Sequence, residues 1–300
     1  MPLISDGAGI VIVPEDGTSV VSEPDAPSSD TTSLPADAED YLEICGRLFP
    51  NPERGGWSWC AVDEEFRVWS ETDLVTQESR RGFCLYRAPV SEPTSVLDLK
   101  ALFGYWADQV ALVHESADVV GIDIAPVQFA AQPNCRFEFD NCNLEWNRRR
   151  GSFDLIYGHK LLGNVNDRVG LLQNAFDCLA AGGFVELCDR PFHYTSKAGK
   201  TESWDFVARQ AQELGGMVGC SFVVTPGGYT NDMIAAGFLD VCEEWETIPL
   251  EECLDSVLDE VKCFLLRKWH MEGIPREKIS TRIADLSDKL VSEASNIDVK

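Results

Sequence analysis

The stretch TSVLDLKALFGYWADQVALVHESADVVGIDI (94–124) decides how this chain folds. A short apolar run, TSVLDL (94–99), gives way to an amphipathic segment, GYWADQVALVHE (104–115), and then to a second apolar run, DVVGIDI (118–124). Short unbroken apolar runs read as strands buried on both faces, and a helical segment between two of them reads as a parallel crossover. The rhythm continues downstream. CRFEF (135–139) reads as a third strand, SFDLIYG (152–158) as a fourth, DRVGLLQNAFDCLA (167–180) as a helix, and GFVELCD (183–189) as a fifth strand entered through Gly182-Gly183. The fold class is therefore α/β, a doubly wound, mostly parallel sheet, with ligands expected beyond the carboxyl ends of the strands.

Working outward from this core (93–250), residues 1–36 are rich in Ser, Pro, Asp, Gly and Thr, and the first basic residue of the chain is Arg47. They read as a disordered acidic tail, although the patch IVIVP within it has the composition of a strand. Residues 37–92 read as an N-terminal helical or lid segment, with a helix over 36–48 suggested by the spacing of Tyr41, Ile44 and Leu48. After the fifth strand, SWDFVARQAQELGGM (203–217) predicts a helix, TNDMIAAGF (230–238) a short one capped by Thr230, and LDVCEEWETIPL (239–250) a late strand. Residues 251–300 carry two more helical patterns, about 251–270 and 275–295, broken at Gly273-Ile274-Pro275. These suit packing or a homodimer contact.

Composition excludes several functions. With 25 basic against 50 acidic residues the formal net charge is -25, which repels phosphate backbones and anionic lipid. Nucleic acid and membrane are therefore not expected partners. The 11 cysteines are scattered without a C-x-x-C pair, so no metal is expected. Most lie in apolar runs, and no secretory signal or long apolar stretch accompanies them, which points to a reducing, cytoplasmic setting.

The blocks VLDL, VVGIDIAPVQ, PNCRFEFDNCNLEW and GSFDLIYGHKLLGNVNDRVGLLQNAFDCLAAGGFVELCD resemble the fungal LaeA-like methyltransferases associated with secondary metabolism, over roughly residues 94–250. The resemblance implies a class I methyltransferase-like Rossmann fold with extra N- and C-terminal helices. It also implies a site for S-adenosylmethionine (SAM). Asp98 and Gly104 bound the loop around the methionine part, Asp123 matches the ribose-binding carboxylate, and Asp140-Asn141 matches the pair that contacts adenine. Asp123 could equally cap a helix beginning at Ala125-Pro126.

One departure bears on function. The family follows its first strand with DLGTGTG, whereas this chain reads Asp98-Leu99-Lys100-Ala101-Leu102-Phe103-Gly104, with Lys100 and Leu102 at two of three glycine positions. Side chains there fill cofactor space or reshape the loop, and Lys100 sets a cation beside the place of the sulfonium. The expected cofactor is accordingly none, with SAM as the alternative.

Proton-handling groups gather at the predicted ends of strands four and five: Tyr157, His159 and Lys160, then Asp189, Arg190, His193 and Tyr194. Tyr157, His159, His193 and Lys100 are the candidate catalytic residues, while Trp106, Lys160, Asp189 and Tyr194 are candidates for holding a hydrophobic small-molecule substrate. An intact scaffold with an altered glycine loop suggests an enzyme that has lost methyl transfer and promotes a cofactor-independent cyclisation, pericyclic step or isomerisation. An active SAM-dependent methyltransferase and a non-catalytic regulator are the alternatives.

Overall fold

The structure, a computed structural model, describes residues 9–13, 40–53, 56–127, 131–192, 194–196, 201–294 and 297–299. In chain order its elements are β1 (Gly9–Val13), β2 (Tyr41–Ile44), β3 (Arg47–Pro50), α1 (Glu64–Arg80), β4 (Ser95–Asp98), α2 (Tyr105–Val113), β5 (Asp118–Asp123), β6 (Cys135–Phe139), β7 (Phe153–His159), α3 (Arg168–Cys178) and β8 (Leu179–Cys188). There follow β9 (Tyr194–Ser196), α4 (Glu202–Val218), α5 (Gly228–Ala236), β10 (Leu239–Glu244), β11 (Ile248–Pro249), α6 (Leu254–Met271), α7 (Arg276–Glu293) and β12 (Ile297–Val299).

The apolar runs of the core become the strands expected of them. β6, β5, β4, β7 and β8 lie side by side in that order, all parallel. The interiors of β4, β5 and β7 are buried, as the absence of polar alternation requires. This is the class I methyltransferase-like Rossmann arrangement, and it sends the ends of β4, β5, β7 and β8 to one rim.

Three expectations need correction. First, part of the tail is structured: Gly9–Val13 pairs antiparallel with both β8 and β10 and so fills the sheet between them. An unpaired sheet edge needs partners for its N–H and C=O groups, and this β-branched patch supplies them. Residues 1–8 and 14–39 lie outside the described residues. Second, the helix expected over 36–48 is a β-hairpin. Cys45 and Gly46 take positive φ of 50° and 84° and form a two-residue turn, pairing Ile44 with Arg47 and Tyr41 with Pro50. Such a turn suits the twist of a hairpin, and it leaves Ile44 and Phe49 buried against α6 and its neighbours. Third, no helix begins at Ala125: residues 124–127 are irregular, and Asp123 instead accepts a hydrogen bond from the Ala125 amide at 3.1 Å.

α6 is built into the interior, with Val257, Val261, Phe264 and Trp269 packed beside Trp59, Phe66 and Phe222. α7 packs on it through Ile279 and Leu290 and is the more exposed of the pair. Among the described residues no helix is long and apolar enough to cross a membrane.

Candidate functional site

The loop after β4 keeps one of the three glycines the resemblance expects, Gly104, and places Lys100 and Leu102 at the other two. Leu102 sits at φ 52°, in the left-handed region that a branched side chain enters at a cost. Its amide donates to Asp123 Oδ2 at 2.9 Å. The Lys100 amide donates to Asp98 Oδ1 at 3.2 Å, and the Lys100 ammonium lies 3.4 Å from Asp123 Oδ2. Gly104, at φ 91°, opens α2 where a Cβ would come within 2.5 Å of the Phe137 ring. Two small cavities remain at this end of the sheet, of about 210 and about 250 Å³, and both are lined by Lys100 and Asp123. The Lys100 side chain borders both.

Asp123, Asp140 and Asn141 come together around the second cavity, as the resemblance implies. Each is already engaged. Asp140 accepts from Arg148 Nη2 at 3.0 Å and from the Asn141 amide at 2.8 Å, and Asn141 Oδ1 accepts from the Asn143 amide at 2.9 Å. Asp123 takes two backbone amides and the Lys100 ammonium. Burial tends to lower the Lys100 pKa, but the Asp123 carboxylate outweighs it and holds the amine charged. Asp98 lies beneath the loop, and burial together with the Asp123 charge pushes its carboxyl up to about 7. A ribose at Asp123 would therefore have to share the carboxylate with two backbone amides and meet the Lys100 ammonium 3.4 Å from Oδ2.

A tryptophan strap separates this region from a larger cleft. The indole of Trp57 donates to the Gly163 carbonyl at 2.7 Å and that of Trp59 to the Leu162 carbonyl at 2.8 Å. Gly163 can sit under the strap because it has φ 74° and no Cβ, which would meet Phe222 at 2.4 Å. Beyond Trp59, between α1, α6 and the ends of β7 and β8, opens a cleft of about 760 Å³ counted to its mouth. His159, Lys160, Asp189 and Arg190 line it, together with Asp73, Gln77 and Arg81 of the α1 region and Glu260 of α6.

Four of these residues form a buried ion cluster. Lys160, held at φ 52°, pairs with Glu260 and lies 3.5 Å from Asp73 Oδ2, while Arg190 Nη2 lies 2.7 Å from Asp73 Oδ2 and 3.1 Å from Glu260 Oε1. Burial opposes the charge on Asp73, but Arg190 and Lys160 prevail and hold the carboxyl below its ordinary range. Burial and the Lys160 cation push the His159 imidazole well below the usual histidine range, so it is neutral. Asp189 accepts from the Leu162 amide at 3.1 Å and the Tyr229 hydroxyl at 2.6 Å, and burial raises its pKa.

The other sequence candidates fall elsewhere. Tyr157 lies two residues before His159 on β7, where its ring stacks on Trp106 at 3.9 Å between centroids and 8° between planes. Both are sealed in the core, with the Trp106 indole donating to the Leu85 carbonyl, so neither lines the cleft. Tyr194 packs on Trp204, ring centroids 4.5 Å apart, and does not line the cleft either. His193 lies outside the described residues. Sequence reasoning missed Asp73, Glu260, Arg81 and Cys188. No local pattern marks the first three among many surface-like charges on α1 and α6, whereas Cys188 sits at the end of a predicted strand and could have been found there.

Fold and site together define a protein of the class I methyltransferase fold, with a buried Lys100–Asp123 pair after β4 and an adjoining cleft. Its curated relatives are LaeA-like and secondary-metabolism methyltransferases, at modest identity. The "Methyltransferase pytC" of Aspergillus terreus is 27% identical over 199 residues, 63% of this chain and 60% of that protein. The "Secondary metabolism regulator laeA" of Coprinopsis cinerea is 28% identical over 55% of this chain and 43% of its own length. The chain thus spans less than two thirds of the length of these relatives. Among solved structures, the mycolic acid cyclopropane synthase CmaA1, complexed with SAH and CTAB, superposes with a TM-score of 0.50 at 14% identity, over 79% of this chain and 92% of that one. That likeness concerns the fold. No family model matches the chain.

Proposed function

We propose that this chain is a methyltransferase-fold enzyme of fungal secondary metabolism that no longer transfers methyl groups and promotes a cofactor-independent cyclisation, pericyclic step or isomerisation of a hydrophobic small molecule. The observation that carries the reading is the Lys100 ammonium 3.4 Å from Asp123, a buried cation that a ribose at this carboxylate would have to displace. The cleft beyond Trp59 is the seat of the reaction. Holding a flexible substrate in a reactive shape lowers such barriers without a cofactor, and the neutral His159 beside Lys160 and Arg190 supplies one proton acceptor and two cations for a carbonyl. Eleven free cysteines support a cytoplasmic, reducing setting. With α6 spent on the interior, a homodimer would use the outer face of α7.

Calorimetric titration of the purified chain with SAM tests this reading. No heat of binding up to millimolar SAM is expected. Micromolar binding overturns it in favour of an active SAM-dependent methyltransferase, a reading supported by the gathering of Asp123, Asp140 and Asn141 around one cavity.

A further inference from the structure

We infer that Cys188 and His159 form a nucleophile and base pair in the cleft, and that the cleft takes a conjugated carbonyl compound whose double bond is isomerised by reversible addition of the Cys188 sulfur. This rests on the cofactor-free reading of the cleft and names its substrate class.

The pair follows from the sheet. His159 and Cys188 end β7 and β8 and are register partners on these adjacent parallel strands, which lie about 4.8 Å apart, so their side chains leave the same face side by side. Both are 4% exposed and both line the cleft. The two make no hydrogen bond to each other. The Cys188 thiol donates to Gln77 Oε1 at 3.3 Å and accepts from Arg81 Nη2 at 2.9 Å. The His159 ring makes no hydrogen bond among the described residues, although it is buried. A buried imidazole without a partner, at the edge of a cleft, awaits a ligand or a proton.

The electrostatics keep the thiol protonated at rest, and the case for its activation stands on the register with His159 and the Arg81 contact. Burial raises the Cys188 pKa against the pull of Arg81 and lowers that of His159, so both rest neutral and the proton transfer runs uphill, to be completed only as the sulfur bonds to carbon. The guanidinium on the sulfur then stabilises the thiolate. A soft sulfur nucleophile with a weak base and flanking cations matches a conjugated carbonyl, which accepts sulfur at its β-carbon and places negative charge on oxygen.

The step balances without a co-reactant. The thiol proton passes to His159, directly or through one water, as Sγ bonds to the β-carbon. The C=C pair moves to the carbonyl oxygen as an enolate, facing the cations Lys160 and Arg190. The former double bond rotates as a single bond. The enolate pair then re-forms the double bond, the C–S bond breaks, and the sulfur recovers its proton from His159. Nothing is oxidised or reduced.

N-ethylmaleimide, itself a conjugated carbonyl compound, is the probe, applied to the full folded chain with peptide mapping by mass spectrometry. Cys253 is the internal control, because it lines the same cleft but has no imidazole in register. In native protein Cys188 is expected to react at least tenfold faster, relative to Cys253, than it does in urea. His159→Gln should remove that advantage and leave the Cys253 rate unchanged. An unmodified Cys188 in the native chain, or an unaltered ratio between native and unfolded protein, overturns the inference without recourse to the variant. An unaltered ratio in a folded His159→Gln overturns the pairing. SAM binding would instead strike at the cofactor-free reading, so the two failures are distinguishable.

Discussion

The ammonium of Lys100 and the carboxylate of Asp123 lie 3.4 Å apart, both buried, where the loop after β4 meets the end of β5. The pair is self-sufficient, because Asp123 also draws the loop in through the Leu102 amide. The loop, the cation and the carboxylate therefore stand or fall as a unit.

Opening that unit should restore binding. In Lys100→Gly with Leu102→Gly, the cation leaves, the two cavities join, and glycine takes the left-handed conformation that Leu102 now adopts. Calorimetry is expected to show a SAM Kd in the micromolar range for the double variant and none for the parent. A silent titration with a folded double variant would mean that the defect lies elsewhere.

Asp98 gives the protein a pH signature. Burial and the neighbouring Asp123 charge raise its carboxyl from 3.8 to about 7. The folded state therefore binds a proton that the unfolded state has released between these values. The stability tied to the neutral carboxyl is present below 3.8 and is lost as the pH rises through about 7, a swing of up to about 4 kcal/mol. Asp98→Asn, permanently neutral, should gain urea resistance over the parent as the pH rises from about 5 to about 8. Parallel midpoints across that range would refute the assignment.

Arg47 ties the hairpin to α1 and α6. Its guanidinium donates to Asp63 at 2.8 Å and to Asp259 at 2.5 and 3.1 Å, all but out of solvent. Arg47→Met leaves Asp259 buried without its cation and should cost about 3–5 kcal/mol in chemical denaturation. Adding Asp259→Leu should recover much of that, since the pair would then be replaced by apolar packing. A loss that the second substitution does not repair would place the cost in the hairpin itself.

Tyr157 should prove structural. Tyr157→Phe preserves the stack on Trp106 and should leave the maleimide rate of Cys188 within about twofold and stability within about 1 kcal/mol. A tenfold loss of rate would return the phenol to the cleft.

Much of this protein was legible in its chain. Five runs, from TSVLDL to GFVELCD, became five parallel strands because an apolar segment too short for a helix and bounded by turn residues has few other ways to be buried. The substitution of Lys100 and Leu102 for glycine was visible as well. The hairpin at 41–50 was not: Tyr41, Ile44 and Leu48 satisfy a helical spacing, and the two left-handed residues at Cys45-Gly46 declare a hairpin only once Ile44 and Phe49 find their partners on α6.

The sequence alone determined the sheet, its rim and the altered loop, because strand formation and glycine geometry act over a few neighbouring residues. Tertiary structure alone decided what the altered loop does and what the rim offers. Lys100 reaches Asp123 across 23 positions, Lys160 reaches Glu260 across 100, and Cys188 faces His159 only because β7 and β8 are neighbours. Charge pairing, burial and proton transfer depend on distance in space, and the fold sets that distance.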